Sequence, residues 1–168
     1  MYCKAMPWFV SDATKSDFYW LLEQLNQSTA SPLWQSTYQR WQQHLRNGQW
    51  ILQTHSFFTL AYDFAQMREI SPELYSSMSQ SKLLIFKGDL NYRKLVGDLE
   101  WSLQERFEVA LRGFYPAPLV ALRTCKADVQ VELDEKLVKQ VSKIDPRWLV
   151  NGRWGVIQTL IKTDSNPI

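Results

Sequence analysis

The stretch KLLIFKGDLNYRKLVGD, residues 82–98, decides the fold of this chain. Residues 83–86 are four consecutive apolar side chains, which are typical of a strand buried on both faces in a parallel sheet flanked by helices. Gly88 indicates a sharp turn, and the polar residues after it predict a short helix. Because ligands of open α/β sheets bind where a strand end feeds a helix, this turn is the expected binding edge.

Polar and charged side chains crowd around Gly88. They are Lys87, Asp89, Asn91, Arg93 and Lys94. Amides at a helix start attract anions, and a nearby Lys and Arg add full positive charges. Phosphate is therefore the expected ligand. The alternative is a solvated turn with no ligand, since short motifs often match by chance.

Outward from this stretch, apolar periodicity predicts alternating strands and helices. Further strands are expected over residues 4–10, 50–54, 119–122, 129–133 and 155–161. Further helices are expected after a cap at Thr14 or Ser16, and over residues 33–47, 71–81, 105–113 and 134–144. Alternation of this kind predicts an α/β fold with a three-layer α/β/α, Rossmann-like, mostly parallel sheet in a single domain, residues 1–168.

Composition excludes several classes of function. The 168 residues carry a net charge of only +2, which argues against nucleic-acid binding, and 45% hydrophobic residues argue against disorder. Two cysteines make neither a disulfide framework nor a zinc cluster. No apolar run approaches membrane-spanning length, and no signal peptide precedes the first strand. We expect a cytoplasmic protein with no membrane partner, and the nucleus is a second candidate location.

Three segments, CKAMPWFVSDATKSDFYWLLEQL, FKGDLNYRKLVGD and ALRGFYPAPLVALRTCKAD, closely resemble the damage-control phosphatase family. The similarity is to its subfamily with an RTxK motif, also described as acidic-residue methyltransferases. It runs from residue 3 to about residue 158 and corresponds to the C-terminal portion of the family's longer chain. The resemblance implies a chain truncated at its N-terminus relative to the family.

In the motif WFVSD, the resemblance implies that Asp12 is a ligand of a catalytic divalent metal. Mn²⁺, Ni²⁺, Co²⁺ and Mg²⁺ are the candidate ions, and a carboxylate suits such hard cations. From the residues alone, the favoured interpretation of Asp12 is a cap of the next helix. The family's other metal ligands come from an upstream Asp-Asn pair, and no such dipeptide occurs in this sequence.

The resemblance makes DLNYR the loop that binds the phosphorylated substrate. Its residues here are Asp89, Leu90, Asn91, Tyr92 and Arg93. Arg93 can bind phosphate oxygens bidentately, and Asp89 and Asn91 can hydrogen-bond sugar hydroxyls. The alternative for Asp89 is a helix N-cap.

The sequence RTCK, residues 123–126, fills the RTxK motif. The resemblance assigns Lys126 to phosphate binding and, with Asp12, to catalysis. The alternative for Lys126 is an ordinary surface lysine after a strand. Cys125 occupies the motif's free position and receives no chemistry, and His44 and His55 lack metal-ligand spacing, so both are expected to be structural.

The function implied by this resemblance is metal-dependent hydrolysis of sugar phosphates, such as fructose 1-phosphate or fructose 6-phosphate, or of damaged phosphometabolites. The small phosphorylated metabolite is then the partner. Because part of the metal site is missing, a non-catalytic phosphate-binding or scaffold role is the alternative. A further alternative is a protein carboxyl methyltransferase with S-adenosylmethionine as cofactor. Loss of part of a sheet also predicts self-association through an exposed sheet edge.

Overall fold

The computed structural model describes residues 1–9, 12–27 and 31–162. The chain forms two compact units, Met1–Ala61 and Tyr62–Ile168, which are described separately. Within these described ranges, no helix combines the length and apolarity needed to cross a bilayer.

The first unit joins two helices to a two-stranded parallel sheet. Strands β1 (Tyr2–Cys3) and β2 (Gln53–Thr54) pair, and α1 (Lys15–Gln27), α2 (Pro32–Arg46) and a 3-10 turn (Ser56–Thr59) complete the unit. The predicted cap at Thr14 is confirmed, since its hydroxyl accepts the Asp17 N–H at 3.3 Å while the Asp17 carboxylate accepts the Thr14 N–H at 2.8 Å. Leu22 and Leu25 are the buried residues of α1.

The prediction of a strand over residues 4–10 is wrong for most of that range. Strand pairing ends at Cys3, apart from a single bridge between Lys4 and Thr14. Residues 5–9 then bend through Pro7, whose lack of an N–H disfavours a sheet interior. Residues 10 and 11 lie outside the described residues. The strand predicted over residues 50–54 shortens to its last two residues.

The second unit contains a three-stranded sheet in the order β3-β4-β5. Its strands are β3 (Leu84–Lys87), β4 (Leu119–Thr124) and β5 (Gly155–Leu160). Its helices are α3 (Met67–Ile70), α4 (Pro72–Ser79), α5 (Asp89–Val96), α6 (Phe107–Ala110) and α7 (Glu135–Ile144), with a 3-10 turn at Phe64–Gln66. Strands β3 and β4 are parallel, while β4 and β5 are antiparallel. Mixed helix and sheet confirm the α/β class, and the three-layer, Rossmann-like arrangement stays a prediction.

One face of this sheet is buried. Phe86, Ala121 and Gln158 lie in register across the three strands, all three are buried, and α5 packs against β3 and β4. The rings of Phe64 and Phe114 extend this core, each within 6 Å of the Phe86 ring centre.

The opposite face of the sheet is largely bare. The prediction that residues 83–86 are buried on both faces is wrong, because Ile85 is 63% exposed and Leu83 is 46% exposed. Ile157, from the other edge strand, is 75% exposed on this same face, opposite Leu122. The reason is that, among the described residues, β3 is an edge strand and one face of its sheet is left uncovered.

Two other predictions need correction. Residues 129–133 form no strand, because this segment bends around the Arg123 guanidinium, which takes the Val129 carbonyl as an acceptor. The helix predicted over residues 105–113 shortens to α6, and Arg112 there adopts a left-handed φ of 49°. The predicted helices over residues 71–81 and 134–144 are confirmed as α4 and α7, the latter capped by the Asp134 side chain.

Candidate functional site

The ends of β3 and β4 lie side by side at one edge of the sheet. Lys87 is in register with Leu122, and the Gly88 N–H donates to the Leu122 carbonyl at 2.8 Å. Because the strands are parallel, the turn into α5 and the segment that follows Thr124 open on the same edge. The DLNYR motif follows β3 directly, and the RTCK motif begins with the last two residues of β4.

Gly88 allows the chain to turn directly from strand into helix. Its φ of 103° and ψ of 163° lie in a region that is essentially restricted to glycine. Gly88 occupies the N-cap position of α5 and Asp89 is the first helical residue, so the alternative of Asp89 as an N-cap is not what the structure shows. The N-terminal turn of α5 thus begins at the strand end, where helix amides have no partner within the helix.

Asp89 is bonded inward, to Arg123. Its Oδ1 lies 2.8 Å from Arg123 Nε, and the two side chains are 9% and 0% exposed, respectively. The ion pair joins the first residue of the DLNYR loop to the first residue of the RTCK motif, across 34 positions of sequence. The carboxylate that the sequence assigns to sugar hydroxyls is therefore engaged within the protein.

Tyr92 lies in the core beneath the helix start. Its hydroxyl donates to Gln158 Oε1 at 2.7 Å and accepts from Gln130 Nε2 at 3.0 Å. Its ring stacks in parallel with the Phe107 ring, with centres 6.2 Å apart. Burial raises the pKa of the phenol above its ordinary value, so Tyr92 stays neutral and holds its position by these bonds.

The remaining members of the DLNYR loop are partly exposed. Leu90 is half-buried, and Asn91 Nδ2 donates to the Lys87 carbonyl at 2.8 Å, which ties the helix back to the end of β3. Arg93 makes a two-pronged ion pair with Asp98, with Nε–Oδ1 at 2.7 Å and Nη2–Oδ2 at 2.5 Å. These hydrogen bonds raise the pKa of Arg93. A phosphate that binds Arg93 has to share or replace Asp98.

Lys126 is exposed at the same edge. A Cβ built on Gly152 would lie 3.7 Å from Lys126 Cε, so the lysine stem runs along this glycine. The backbone beneath is fixed by the Cys125 N–H, which donates to the Trp154 carbonyl at 2.8 Å, and by the Gly152 N–H, which donates to the Cys125 carbonyl at 2.9 Å. Among the described residues, Lys126 forms no ion pair, which leaves its charge available to an anion.

Asp12 belongs to the first unit, where its side chain bonds to backbone N–H groups that precede it in the sequence. Its Oδ2 accepts the N–H groups of Trp8 at 3.1 Å and Phe9 at 2.9 Å. Its carboxylate is thus engaged by Trp8 and Phe9, while Thr14 and Asp17 cap α1. The part of the chain that the structure describes contains no cluster of three His, Cys, Asp or Glu that could hold a metal. Asp12 alone does not fit a complete divalent-metal site.

The two histidines make local contacts. His44 Nδ1 is hydrogen-bonded to Gln49, and its ring packs 5.0 Å from that of Trp50. His55 Nδ1 accepts the Phe57 N–H at 3.2 Å. Both contacts fit the structural roles expected from the sequence.

Sequence reasoning missed Arg123, Gln130 and Gln158, which are buried polar residues behind the candidate site. One signal for Arg123 was present. In a strand whose alternate residues face the core, a charge two positions after Ala121 points inward and requires a buried partner. The identity of that partner was not readable from local sequence.

Comparisons with known proteins identify the family of this chain and several of its relatives. The model of the damage-control phosphatase ARMT1-like domain matches residues 1–141. The chain is 46% identical over 156 residues to Damage-control phosphatase ARMT1 of Xenopus laevis. The aligned residues make up 92% of this chain and 35% of that protein. The protein of the same name from Homo sapiens is 41% identical over 158 residues. This alignment covers 94% of this chain and 35% of the human protein.

The chain thus spans about a third of the length of these curated relatives, and it corresponds to their C-terminal portion. The match covers both units and all three motifs, WFVSD, DLNYR and RTCK. This chain belongs to the damage-control phosphatase ARMT1-like family.

Proposed function

We propose that this chain forms the phosphate-binding part of a damage-control phosphatase that acts on small phosphorylated metabolites. Sugar phosphates such as fructose 1-phosphate and fructose 6-phosphate are the candidate substrates. The proposal is supported by relatives whose printed name is Damage-control phosphatase ARMT1, at 41% and 46% identity in human and Xenopus laevis. For the complete family domain, we propose the three-layer, mostly parallel sheet.

One observation carries the proposal. The parallel pairing of β3 and β4, together with the ion pair between Asp89 and Arg123, places the DLNYR and RTCK motifs at one edge of one sheet. A helix N-terminus and an exposed Lys126 are then available to the same anion. Lysine suits this task because its compact ammonium group binds phosphate oxygens without a fixed plane.

In this proposal the described residues bind and orient the phosphate group. Lys126 and the N-terminal turn of α5 neutralise its charge, and Arg93 contributes when the phosphate displaces Asp98. A requirement for Mn²⁺, Ni²⁺, Co²⁺ or Mg²⁺ is part of the proposal, with Asp12 as the one metal ligand that the family resemblance assigns to this chain. The chemistry assigned to this chain therefore rests on its anion contacts.

A non-catalytic phosphate-binding role is the second candidate. The observation that favours it is the absence, in the described ranges, of a cluster of three potential metal ligands. The two candidates share the anion site and differ in whether the bound ester is hydrolysed.

A titration and an assay on the 168-residue chain test both candidates. We expect amide chemical shifts on addition of fructose 6-phosphate at residues 88–93 and 125–126, with a Kd on the order of millimolar. We expect little or no release of phosphate in the presence of Mn²⁺ or Co²⁺. The catalytic role would be favoured if the chain releases phosphate and the Asp12→Ala variant, folded as well as the parent, does not. Shifts confined to other regions would overturn the proposed site.

A further inference from the structure

Arg123, the first residue of the RTCK motif, is buried and donates from all three nitrogens of its guanidinium. Nε donates to Asp89 at 2.8 Å, and Nη2 donates to the Ala127 carbonyl at 2.9 Å. Nη1 donates to Gln130 Oε1 at 2.9 Å and also to the Val129 carbonyl. With its side chain 0% exposed, Arg123 cannot itself be the group that meets a ligand from solvent.

The groups that Arg123 binds belong to both of the segments that form the candidate anion site. Asp89 is the first residue of α5, and Ala127 directly follows Lys126. A planar guanidinium fixes the direction of each of its hydrogen bonds, so one side chain sets the start of the helix relative to the segment that carries the lysine. The guanidinium carbon also lies 4.6 Å from the centre of the Tyr92 ring, which supports its plane from below.

Arg123 also removes an electrostatic obstacle. Asp89 places a carboxylate in the first turn of α5, where a phosphate would otherwise meet a negative charge. Pairing with Arg123 neutralises this carboxylate and points it into the protein. Without Arg123, the carboxylate would be left buried and uncompensated, an arrangement that forces either rearrangement or water entry.

We propose that Arg123 is a positioning residue for phosphate binding: it neutralises Asp89 and holds the segment after Lys126 in place, so that an incoming phosphate meets the helix start and the lysine. This inference rests on the proposed function, whose anion site it uses. Arg123 acts through Asp89 and the backbone of residues 127–129, and its own contact with the ligand is not required.

A double-mutant cycle on the full 168-residue chain tests the inference, with inorganic phosphate as the probe. The variants are Arg123→Gln, Asp89→Asn and both together. Arg123→Lys serves as the conservative variant, because it keeps the charge and loses the planar fork. Lys139→Gln is the control, since Lys139 pairs with Glu135 on the exposed surface of α7. Two readouts are measured on each: phosphate affinity, and amide hydrogen exchange of residues 125–131 without phosphate.

We expect Arg123→Gln to weaken phosphate binding about tenfold and to speed exchange in residues 125–131, while the double variant binds within about threefold of Asp89→Asn. Arg123→Lys should bind more tightly than Arg123→Gln and still show faster exchange. A purely structural role predicts no recovery in the double variant, and that outcome would overturn the inference. An unchanged affinity in Arg123→Gln would also overturn it.

The two proposals fail in different ways. If the unsubstituted chain binds phosphate and Arg123→Gln binds it equally well, the positioning role is wrong and the proposed function stands. If the unsubstituted chain binds no phosphate, the proposed anion site is wrong and the positioning role falls with it. If Arg123→Gln does not fold, the comparison of Arg123→Lys with the parent decides. Equal phosphate affinity and equal amide exchange in these two proteins would contradict the inference.

Discussion

Lys126 supplies a full positive charge at the shared edge of β3 and β4, and among the described residues it forms no ion pair. We expect Lys126→Ala to weaken binding of fructose 6-phosphate about tenfold, the loss of one charge-assisted contact. Lys162→Ala is the matched control, because Lys162 Nζ pairs with Glu108 at 2.9 Å and lies outside both motifs. Chemical-shift titration measures both variants. Equal sensitivity to the two substitutions would mean that the anion site is elsewhere.

Tyr92 makes a second prediction at the residue scale, because it belongs to the DLNYR loop yet is buried. Tyr92→Phe removes the hydroxyl that serves Gln158, Gln130 and the Val131 N–H. We expect it to lower the free energy of unfolding by about 1–3 kcal/mol, the cost of leaving buried polar groups unpaired. Denaturant unfolding measures this change. Phosphate affinity of the folded variant should stay within about threefold of the parent, and a larger loss would place the hydroxyl in the site.

The same phenol predicts a pH dependence of stability. Burial raises the folded-state pKa of Tyr92, whereas in the unfolded chain the phenol ionises at about pH 10. Below that pH both states hold the proton, and this contribution is constant. As the pH rises further, only the unfolded state releases the proton, so stability falls. Between about pH 9 and 11, the parent should lose stability more steeply than Tyr92→Phe. Parallel pH profiles of the two proteins would contradict this explanation.

At the scale of elements, the turn between β3 and α5 depends on one glycine. Nothing lies within 4 Å of a Cβ built on Gly88, so a substitution there is strained by its backbone angles and not by crowding. We expect Gly88→Ala to cost about 1–3 kcal/mol of stability and to shift the start of α5. Phosphate binding should weaken with it.

Gly113→Ala is the control for this prediction. Gly113 has a φ of 86° and equally open surroundings, but it lies outside the strand ends that form the site. Thermal unfolding should show a loss in both variants, while titration with phosphate should show weaker binding in Gly88→Ala alone. Similar binding losses in both would mean that the effect is general destabilisation.

Local sequence patterns predicted the strand and the helix around the site. They failed for a segment whose conformation depends on contacts between residues distant in the sequence. The sequence from β3 through Gly88 to α5 carries its own signals, namely an apolar run, a glycine and a polar helix ended by Gly97. Residues 129–133 alternate like a strand, but Val129 and Val131 turn inward around the buried Arg123 and Tyr92. Tyr92 lies 39 positions from Val131 in the sequence, and periodicity within a local window carries no information about that contact.

At the scale of the whole molecule, the described part of the chain exposes apolar side chains on one face of a sheet. Ile85 and Ile157 are both mostly exposed on the face of the β3-β4-β5 sheet that no described helix covers, and Val120 and Leu122 are only half-buried between them. The relatives carry this stretch within chains about three times as long. A bare sheet face of this kind, together with the unpaired edge of β3, favours association with another apolar surface.

We expect the purified chain to self-associate through this face, because in a solution of one protein the available apolar partner is a second copy. Ile157→Lys and Ile85→Lys place a charge on the face and should shift the chain towards monomer and reduce binding of a hydrophobic dye. Ile144→Lys is the matched control, since Ile144 is 73% exposed at the end of α7, comparable with 75% for Ile157, but lies outside the sheet. Sedimentation velocity over a range of concentrations measures the effect. A monomer at every concentration, or equal effects of all three substitutions, would show that the sheet face is stable in water without a partner.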